Sequence, residues 1–306
     1  MICPPALKPG DLIRVIAPAS HFDRERFDKG IAALQGMGFR VAWRDDLFAR
    51  QDYLAGDDAR RLAELEEAFA DPETKGIVCA RGGYGTPRLL ARLDAAKLAR
   101  TPKVFVGFSD ITALLCALHA AGLICFHGPM VTGWMATDGL NAADRDSFLR
   151  TVGEPAPFGL VAEGAALVEG KAEGTLVGGN LAMLCALLGT PHFPNVAGKV
   201  LFLEDVGEKP FRLDRMLTQL HLAGVFAKVA GIALGRFSKC DNPQDPAVTA
   251  DAVIAERVRA AGKPCVTALP FGHDGENRTL PIGVRARVSA NADGTGSLEI
   301  LEAAVS

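Results

Sequence analysis

The chain has 306 residues, of which 49% are hydrophobic, and this predicts about two domains with sizeable apolar cores. Its formal net charge is -3, and its aromatic residues, 7% of the total, do not alternate with basic runs. Charge and composition therefore argue against a general electrostatic affinity for nucleic acid or an anionic membrane, and against a surface that stacks nucleic-acid bases.

The seven cysteines point to the compartment of the protein. Their number is odd, no two have the C-x-x-C spacing, and most lie in apolar runs, so we expect buried, reduced thiols. Reduced thiols are typical of a reducing compartment. No apolar stretch reaches the ~18 residues of a membrane span, and the N-terminus has no signal-peptide pattern. We therefore expect a cytoplasmic protein.

The first half of the chain alternates apolar strands with amphipathic helices. Strands are predicted at 12–17, 39–43, 76–80, 104–107 and 124–126, and helices at 24–37, 57–69, 86–93 and 111–121. Because each strand is apolar on both faces, we expect an α/β fold with a parallel sheet that is covered on both sides. The loops after the strands would then line one crevice, where ligands bind in such sheets.

The second half has a different, mixed α+β pattern. A stretch rich in proline and glycine at 153–164 predicts a linker, so we divide the chain into domains 1–160 and 161–306. Asp293-Gly294 predicts a hairpin near the C-terminus. The predicted strands are 174–177, 200–203, 231–234, 266–269, 279–282, 286–290 and 296–301, and the predicted helices are 180–188, 209–223 and 247–260.

A serine follows the strand that ends at Gly107. The order strand, tight turn, Ser109 and helix is that of a nucleophile elbow, which exposes the serine hydroxyl and directs the first N–H groups of the helix at an oxyanion. The usual elbow has a second glycine where this chain has Ile111. On these residues alone, the simpler interpretation that Ser109 or Asp110 caps the helix stays open.

The glycine-rich loop 82–85 follows another strand of the same sheet. It lacks the third glycine of a dinucleotide-binding motif and the lysine of a P-loop, so a phosphate site is not favoured. It is either an ordinary turn or a loop whose backbone N–H groups face Ser109. Arg81 and Tyr84 are candidates for substrate binding. Arg81 would bind a terminal carboxylate, unless it forms an ion pair with a neighbouring side chain.

Candidates for a general base and an acid lie in the second half. His273 belongs to the polar, glycine-flanked loop 270–278, a setting typical of site residues. Glu204 ends a buried strand, where a carboxylate needs a partner, either an imidazole or an arginine of the next helix. Strand alternation places Asp205 on the opposite face, and Glu208 precedes a helix. No histidine pair or Cys/His cluster has metal-ligand spacing, so we expect no metal.

An ordered set of motifs along nearly the whole chain resembles the LD-carboxypeptidase family of serine peptidases, which includes the microcin-immunity proteins. The motifs are Ala17-Pro18 with Ser20, 80–85, 107–112, 178–181, 203–205 with 214–217, and 271–273 with 280–283. Each motif is modest alone, but their order and spacing are highly specific.

The resemblance implies a flavodoxin-like N-terminal domain, a mixed C-terminal domain and a Ser–Glu–His triad. Ser109 would be the nucleophile, Glu204 the orienting acid and His273 the general base. The backbone N–H groups of Gly83 and Asp110 would form the oxyanion hole. Family members act without metal or other cofactor, commonly as homodimers. Their best-known activity releases terminal D-alanine from cytoplasmic murein tetrapeptides in peptidoglycan recycling, by cleaving an L-to-D peptide bond.

Two alternatives remain at this point. The first is a microcin-immunity serine peptidase that cleaves a peptide–nucleotide conjugate. Such proteins generally have an additional aromatic loop, whereas the stretch 132–164 is short here and offers Trp134 as its one obvious stacking residue. The second is a non-catalytic, two-domain protein that binds a small ligand. It predicts no turnover, and it predicts that the Ser109→Ala variant binds ligand as well as the parent.

Overall fold

The computed structural model describes residues 1–136 and 141–306, which form two compact units. The first unit contains 1–156 together with 278–283 and 303–306, and the second contains 157–277 and 284–302. The sequence-based boundary near residue 160 falls inside a strand of the second unit. The segment 137–140, part of the stretch compared above with microcin-immunity proteins, lies outside the described residues.

The helices and strands alternate in the first half, as expected. This half contains β1 (Leu12–Ile16), α1 (Arg24–Gly36), β2 (Arg40–Ala42), α2 (Asp58–Ala70), β3 (Thr74–Cys79), α3 (Ala95–Ala99), β4 (Val104–Gly107), α4 (Thr112–Ala120), β5 (Cys125–His127) and α5 (Ala142–Gly153). The predicted helix at 86–93 is only a 3-10 turn over Thr86–Leu89. Then follow β6 (Pro157–Val168), β7 (Gly170–Asn180), α6 (Leu181–Leu187), β8 (Val200–Val206), α7 (Pro210–Leu222), α8 (Val225–Lys228), β9 (Gly231–Ser238), α9 (Ala250–Ala261), β10 (Cys265–Thr267), β11 (Leu280–Ile282), β12 (Arg285–Ala290) and β13 (Thr295–Ala303).

The first unit is built on one sheet. Among the described residues the strand order is β11-β5-β4-β3-β1-β2, and β1 to β5 run parallel in the order 2-1-3-4-5 of a flavodoxin-like sheet. The predicted parallel α/β sheet is confirmed. β11, which we assigned from sequence to the second half, instead pairs antiparallel with β5 and returns the chain to the first unit.

The order of these strands places two loops at the switch point of the sheet. β1 pairs with β2 on one side and with β3 on the other, so the chain order of the strands changes direction between β1 and β3. The loops that follow these two neighbouring strands therefore lead away from each other. The helix α1, which follows β1, begins at an aspartate cap, because Asp23 accepts a hydrogen bond from the N–H of Arg26. This cap fixes where the loop after β1 ends. The loop after β3 leads instead into the 3-10 turn that begins at Thr86.

The second unit is a mixed barrel. Within the described residues, strands in the order β10-β6-β13-β12-β7-β8-β9 close on themselves, with parallel pairs among β7, β8, β9 and β10. The predicted mixed α+β character is confirmed, and so is the hairpin, since β12 and β13 pair antiparallel around Asp293-Gly294. Barrel closure was not predicted from the sequence.

The predicted linker at 153–164 is wrong, because most of it belongs to β6. This strand pairs antiparallel with β10. A Cβ atom on Gly164 would lie 2.4 Å from the carbonyl oxygen of Thr267. The glycine therefore permits a close approach of two strands, which sequence reasoning mistook for flexibility.

Candidate active site

Ser109 adopts a strained backbone conformation at the end of β4. Its φ is 62°, one of few positive values among the described residues other than glycine. A Cβ atom on Gly107 would lie 2.7 Å from Cγ2 of Ile111, so the glycine leaves the space that Ile111 fills. This packing explains how the turn forms without the usual second glycine. Such a turn has the geometry of a nucleophile elbow.

The glycine-rich loop lies against this serine. A Cβ atom on Gly82 would lie 3.0 Å from Cβ of Ser109 and 3.2 Å from its Oγ. Only a glycine fits there without displacing the serine. The structure therefore brings together the two loops that sequence reasoning placed at one sheet edge.

Asp110 connects the elbow to the glycine loop rather than capping the helix. Its Oδ2 accepts a hydrogen bond of 2.9 Å from the N–H of Thr86, and the Thr86 hydroxyl donates to the Asp110 carbonyl at 2.5 Å. In the described chain, Ile111 holds the N-cap position of α4, and no side chain makes a capping bond there. The cap interpretation is therefore wrong. Burial raises the pKa of the Asp110 carboxyl.

Ser20, from the loop after β1, fixes the conformation of Gly83. Gly83 has a φ of +100°, and a Cβ atom on it would lie 2.5 Å from the Ser20 hydroxyl oxygen. That oxygen accepts a hydrogen bond of 3.1 Å from the N–H of Tyr84, and the N–H of Ser20 donates to the Gly82 carbonyl at 3.2 Å. Among the described residues, the N–H of Gly83 has no hydrogen-bond acceptor.

Arg61 is a buried support that sequence reasoning missed. Its side chain is fully buried, and Nη1 donates to the carbonyls of Pro18 at 2.5 Å and of Gly85 at 2.9 Å. It also forms an ion pair with Asp58. Arg61 lies one helical turn before Leu65 and two turns before Phe69, so it is on the apolar face of α2. A cation on an apolar helix face is the sign in the sequence that could have identified this residue.

Arg81 and Tyr84 both lie on exposed parts of the glycine loop. Arg81 donates from Nη1 to the carbonyl of His21 at 2.8 Å and lines a cavity of about 350 Å³ with Arg26. No carboxylate of the described chain pairs with it, so the ion-pair alternative is not observed. The ring of Tyr84 lies 5.6 Å from that of Tyr53, and these are the two tyrosines of the sequence.

In the second unit, Glu204 contacts His273. Oε2 of Glu204 lies 2.6 Å from Nδ1 of His273, and the glutamate side chain is fully buried while the histidine is 15% exposed. Gly272, with a φ of +125°, would place a Cβ atom 3.2 Å from that carboxylate oxygen. The imidazole is thus the partner of Glu204, and the arginine alternative is not observed.

The loop that carries His273 is anchored by its buried neighbour Phe271. The Phe271 ring is fully buried and lies 5.7 Å from the Phe202 ring, edge to face. A Cβ atom on Gly235 would lie 2.4 Å from the Phe271 ring, so the lack of a side chain at Gly235 leaves room for this ring. Packing therefore orients the residue two positions before the histidine.

The other two carboxylates of this region have different partners. Asp205 accepts hydrogen bonds of 2.9 Å from Nδ2 of Asn180 and from the N–H of Ala182 at the start of α6. Burial, together with the neighbouring Glu204 charge, raises the pKa of Asp205 to about 6. Glu208 forms an exposed ion pair of 3.5 Å with Arg212. Only Glu204 of the three contacts a histidine.

The cysteines are unpaired, and six of the seven are buried. Among residues 1–136 and 141–306, no group of histidine, cysteine and acidic side chains is arranged to hold a metal ion. The same residues include no helix of the length and hydropathy that crossing a membrane requires.

Comparison with known proteins gives a consistent result over the whole chain. Residues 13–128 match the model of the LD-carboxypeptidase N-terminal domain, and residues 173–288 match that of the C-terminal domain. A protein of Bacillus subtilis (strain 168) that bears the name of a murein peptide carboxypeptidase is 38% identical over 301 residues, covering 97% of this chain and 94% of its own.

Solved structures give the same grouping. Muramoyltetrapeptide carboxypeptidase from Oxalobacter formigenes aligns with a TM-score of 0.85 and 35% identity, over 95% of this chain and 99% of its own. An MccF-like protein from Bacillus anthracis str. Ames aligns with a TM-score of 0.88 and 29% identity, over 99% and 100% of the two chains. This chain belongs to the LD-carboxypeptidase family of peptidases.

Proposed function

We propose that the protein is a serine carboxypeptidase that releases terminal D-alanine from murein tetrapeptides by cleaving the L-to-D bond. The observation that carries this proposal is the 2.6 Å contact between Glu204 Oε2 and His273 Nδ1. A carboxylate bound at Nδ1 holds the imidazole in the tautomer whose Nε2 can accept a proton. The second support is the strained elbow at Ser109.

In the proposed mechanism, Ser109 attacks the carbonyl of the scissile bond. His273 takes the hydroxyl proton at Nε2 and later gives it to the leaving amine of D-alanine, while Glu204 stabilises the imidazolium. Water then hydrolyses the acyl-enzyme by the same base catalysis. The proposal requires domain 1–160 to supply the nucleophile and domain 161–306 to supply the acid and the base.

We propose the N–H groups of Gly83 and Asp110 as the oxyanion hole. The N–H of Asp110 directly follows the nucleophile, as in other elbows. The N–H of Gly83 has no acceptor among the described residues, and it belongs to a loop that Ser20, Thr86 and Arg61 hold in place. Donors that are fixed before the reaction stabilise the developing charge without reorganisation.

The substrate assignment rests on the names of the relatives and on Arg81. A carboxypeptidase must recognise a free terminal carboxylate, and Arg81 is an exposed cation beside the proposed oxyanion hole, with Tyr84 on the same loop. A cytoplasmic role in peptidoglycan recycling, a homodimeric state and action without a cofactor complete the proposal.

The test is an assay of the purified protein on murein tetrapeptide, with free D-alanine and tripeptide quantified by mass spectrometry. A peptide–nucleotide conjugate serves as the competing substrate. We expect D-alanine release by the parent protein and none by the Ser109→Ala variant. Cleavage of the conjugate alone would favour the microcin-immunity alternative. Binding of the tetrapeptide without turnover would favour a non-catalytic binding protein.

A further inference from the structure

The cavity beside Arg81 lies where three loops of the first unit meet. Its lining comes from Phe22 and Asp23 after β1, from Arg81 after β3 and from the stretch 130–133 after β5, together with Arg26 in the first turn of α1. Its volume of about 350 Å³ lies in the range of ligand pockets. Ligands of parallel sheets bind beyond such carboxyl ends, and none of these residues belongs to the proposed triad or oxyanion hole.

The two arginines that line this cavity have no carboxylate partner. Within the described chain, neither Arg26 nor Arg81 forms an ion pair. Other arginines of the first unit do pair with carboxylates, among them Arg24 with Asp28, Arg44 with Asp46 and Arg88 with Asp58. The positive charge of the cavity is therefore not neutralised in the way that the charge of these other arginines is.

His21, which directly precedes the lining residue Phe22, reports the positive potential of this region. Burial lowers the pKa of His21 below its ordinary value, and the charges of Arg50 and Arg81 lower it further. The His21 carbonyl accepts the 2.8 Å hydrogen bond from Arg81, so the two residues are adjacent. Arg50, like Arg81, has no ion-pair partner among the described residues. Three guanidinium groups thus act on one small region.

Asp23 is the one carboxylate in the described lining, and it already has a partner. Its Oδ1 accepts the 3.0 Å hydrogen bond from the N–H of Arg26 that caps α1. The N–H groups of Phe22 and of Asp23 itself have no hydrogen-bond acceptor among the described residues. Three arginines against one aspartate leave two uncompensated positive charges, close to backbone donors that a ligand can use.

We propose that this cavity binds a phosphate group as a dianion. The guanidinium groups of Arg26 and Arg81 would donate hydrogen bonds to the phosphate oxygens, and Arg50 would add its attraction from the adjoining loop. A phosphate group carries about −1.5 to −2 charge at pH 7, which matches the two uncompensated charges. A single carboxylate would neutralise only one of them.

Two sources supply this chemistry, namely free inorganic phosphate and the phosphoryl group of a larger molecule. The charges and donors of the cavity favour the dianion in either case. Arg81 is also the proposed partner of the terminal carboxylate of the substrate, so bound phosphate should compete with that carboxylate. This competition rests on the proposed carboxypeptidase function, whereas phosphate binding itself does not.

The experiment follows the histidine resonances of the parent protein by NMR at constant ionic strength, because salt screens the attraction. Comparison with His21→Gln assigns the His21 resonance among those of the six histidines. The probes are inorganic phosphate, methyl phosphate and acetate. We expect phosphate to shift the His21 resonance in a saturable way, with a Kd on the order of 1 mM or below, and to raise the pKa of His21. Acetate should bind at least about tenfold more weakly.

Variants then locate the binding. Arg26→Gln and Arg81→Gln should each weaken phosphate binding about tenfold, since each removes one guanidinium partner. Arg24→Gln is the matched control, because it removes the same charge from the same turn of α1 at a position outside the cavity. It should leave the Kd nearly unchanged. Equal weakening by Arg24→Gln and Arg26→Gln would show attraction to the general charge of the surface and would overturn the proposal.

The remaining outcomes separate the cavity from the catalytic proposal. The absence of saturable phosphate binding, or acetate binding as tight as that of phosphate, would overturn the cavity proposal even if D-alanine release is observed. Binding of phosphate by a parent protein without turnover would support the cavity and contradict the catalytic proposal. In an active protein, phosphate should raise the KM for the tetrapeptide and leave kcat unchanged. Binding of phosphate with an unchanged KM would support the cavity and contradict the carboxylate role of Arg81.

Methyl phosphate distinguishes the two sources. Binding of methyl phosphate as tight as that of inorganic phosphate would support the cavity proposal with a larger phosphorylated molecule as the source, because the ester oxygen is then tolerated. Binding of inorganic phosphate alone would support it with the free ion as the source.

Discussion

Glu204 and Asp205 are neighbours in β8 whose carboxylates have separate partners. Glu204 contacts the His273 imidazole, whereas Asp205 accepts hydrogen bonds from Asn180 and from the start of α6. Strand alternation causes this division, because successive side chains leave a strand on opposite faces. Each carboxylate therefore has a distinct expected effect when it is neutralised.

Neutralising Glu204 should remove most of the activity. Glu204→Gln keeps the shape of the side chain but loses the negative charge that would stabilise the imidazolium, so we expect kcat to fall on the order of a hundredfold or more. Glu208→Gln is the matched control, since it removes only an exposed ion pair with Arg212 and should leave kcat nearly unchanged. Steady-state kinetics with thermal melts of both variants provide the measurement. The reverse ranking would contradict the assignment of Glu204 as the triad acid.

Asp205 should make the stability of the protein depend on pH. Its pKa is raised to about 6 in the folded state from an ordinary value of 3.8. Between these values the unfolded chain releases a proton that the folded protein retains, so the contribution of Asp205 to stability is highest below pH 4 and falls as pH rises towards 6. Asp205→Asn cannot titrate there, and its stability should fall less over this window.

The difference in the free energy of unfolding between the parent protein and Asp205→Asn should change by on the order of 2–3 kcal/mol between pH 4 and pH 6. The change should favour the variant at the higher pH. Urea unfolding at several pH values measures it. A difference that is constant with pH would show that Asp205 is already ionised at pH 4 in the folded protein.

Arg61 should contribute far more to stability than Arg88, although both arginines pair with Asp58. Arg61 is fully buried and also donates to two carbonyls, whereas the Arg88 side chain is 42% exposed. Arg61→Met would leave the carbonyl of Pro18 without its donor and the carbonyl of Gly85 with only a 3.3 Å bond from the N–H of Arg88, at an expected cost of about 3–5 kcal/mol. Arg88→Met should leave the stability nearly unchanged, because water screens an exposed ion pair. Denaturant unfolding compares them, and similar costs would contradict the supporting role of Arg61.

The proposed carboxylate recognition by Arg81 predicts a strong dependence on the substrate terminus. Amidation of the terminal D-alanine removes the charge, so kcat/KM should fall about 10- to 100-fold for the parent protein. The Arg81→Gln variant should discriminate little between acid and amide, because the partner of the carboxylate is already absent. Parallel assays of the four combinations measure this coupling. Equal rates of the parent on both substrates would exclude carboxylate recognition.

The sequence predicted the parts of the fold that depend on local patterns. Apolar runs between amphipathic helices indicated the parallel sheet, and Asp293-Gly294 indicated the hairpin. The sequence did not predict the pairing of β11 with β5, because partners separated by about 150 residues leave no local pattern. It also misread Gly164, since a glycine in a flexible linker and one at a close strand contact look alike in one sequence.

In the candidate site, too, the sequence predicted the features that depend on local patterns and missed those that depend on distant contacts. The elbow and the glycine loop could be placed from their positions after strands, and the structure brings Gly82 to Ser109. The choice between an imidazole and an arginine as the partner of Glu204 needed the structure, because His273 lies 69 residues away. The roles of Ser20 and Arg61 depend on contacts between loops, which no spacing reveals.

The most direct test of the account is whether Ser109 is an activated nucleophile. The protein is treated with a fluorophosphonate, which forms an adduct with serines that a base activates, and the labelled peptide is identified by tandem mass spectrometry. We predict a single adduct at Ser109 in the parent protein, at least a hundredfold slower labelling of His273→Ala, and no adduct in Ser109→Ala. Labelling at another residue, or a rate unchanged in His273→Ala, would contradict the proposed triad.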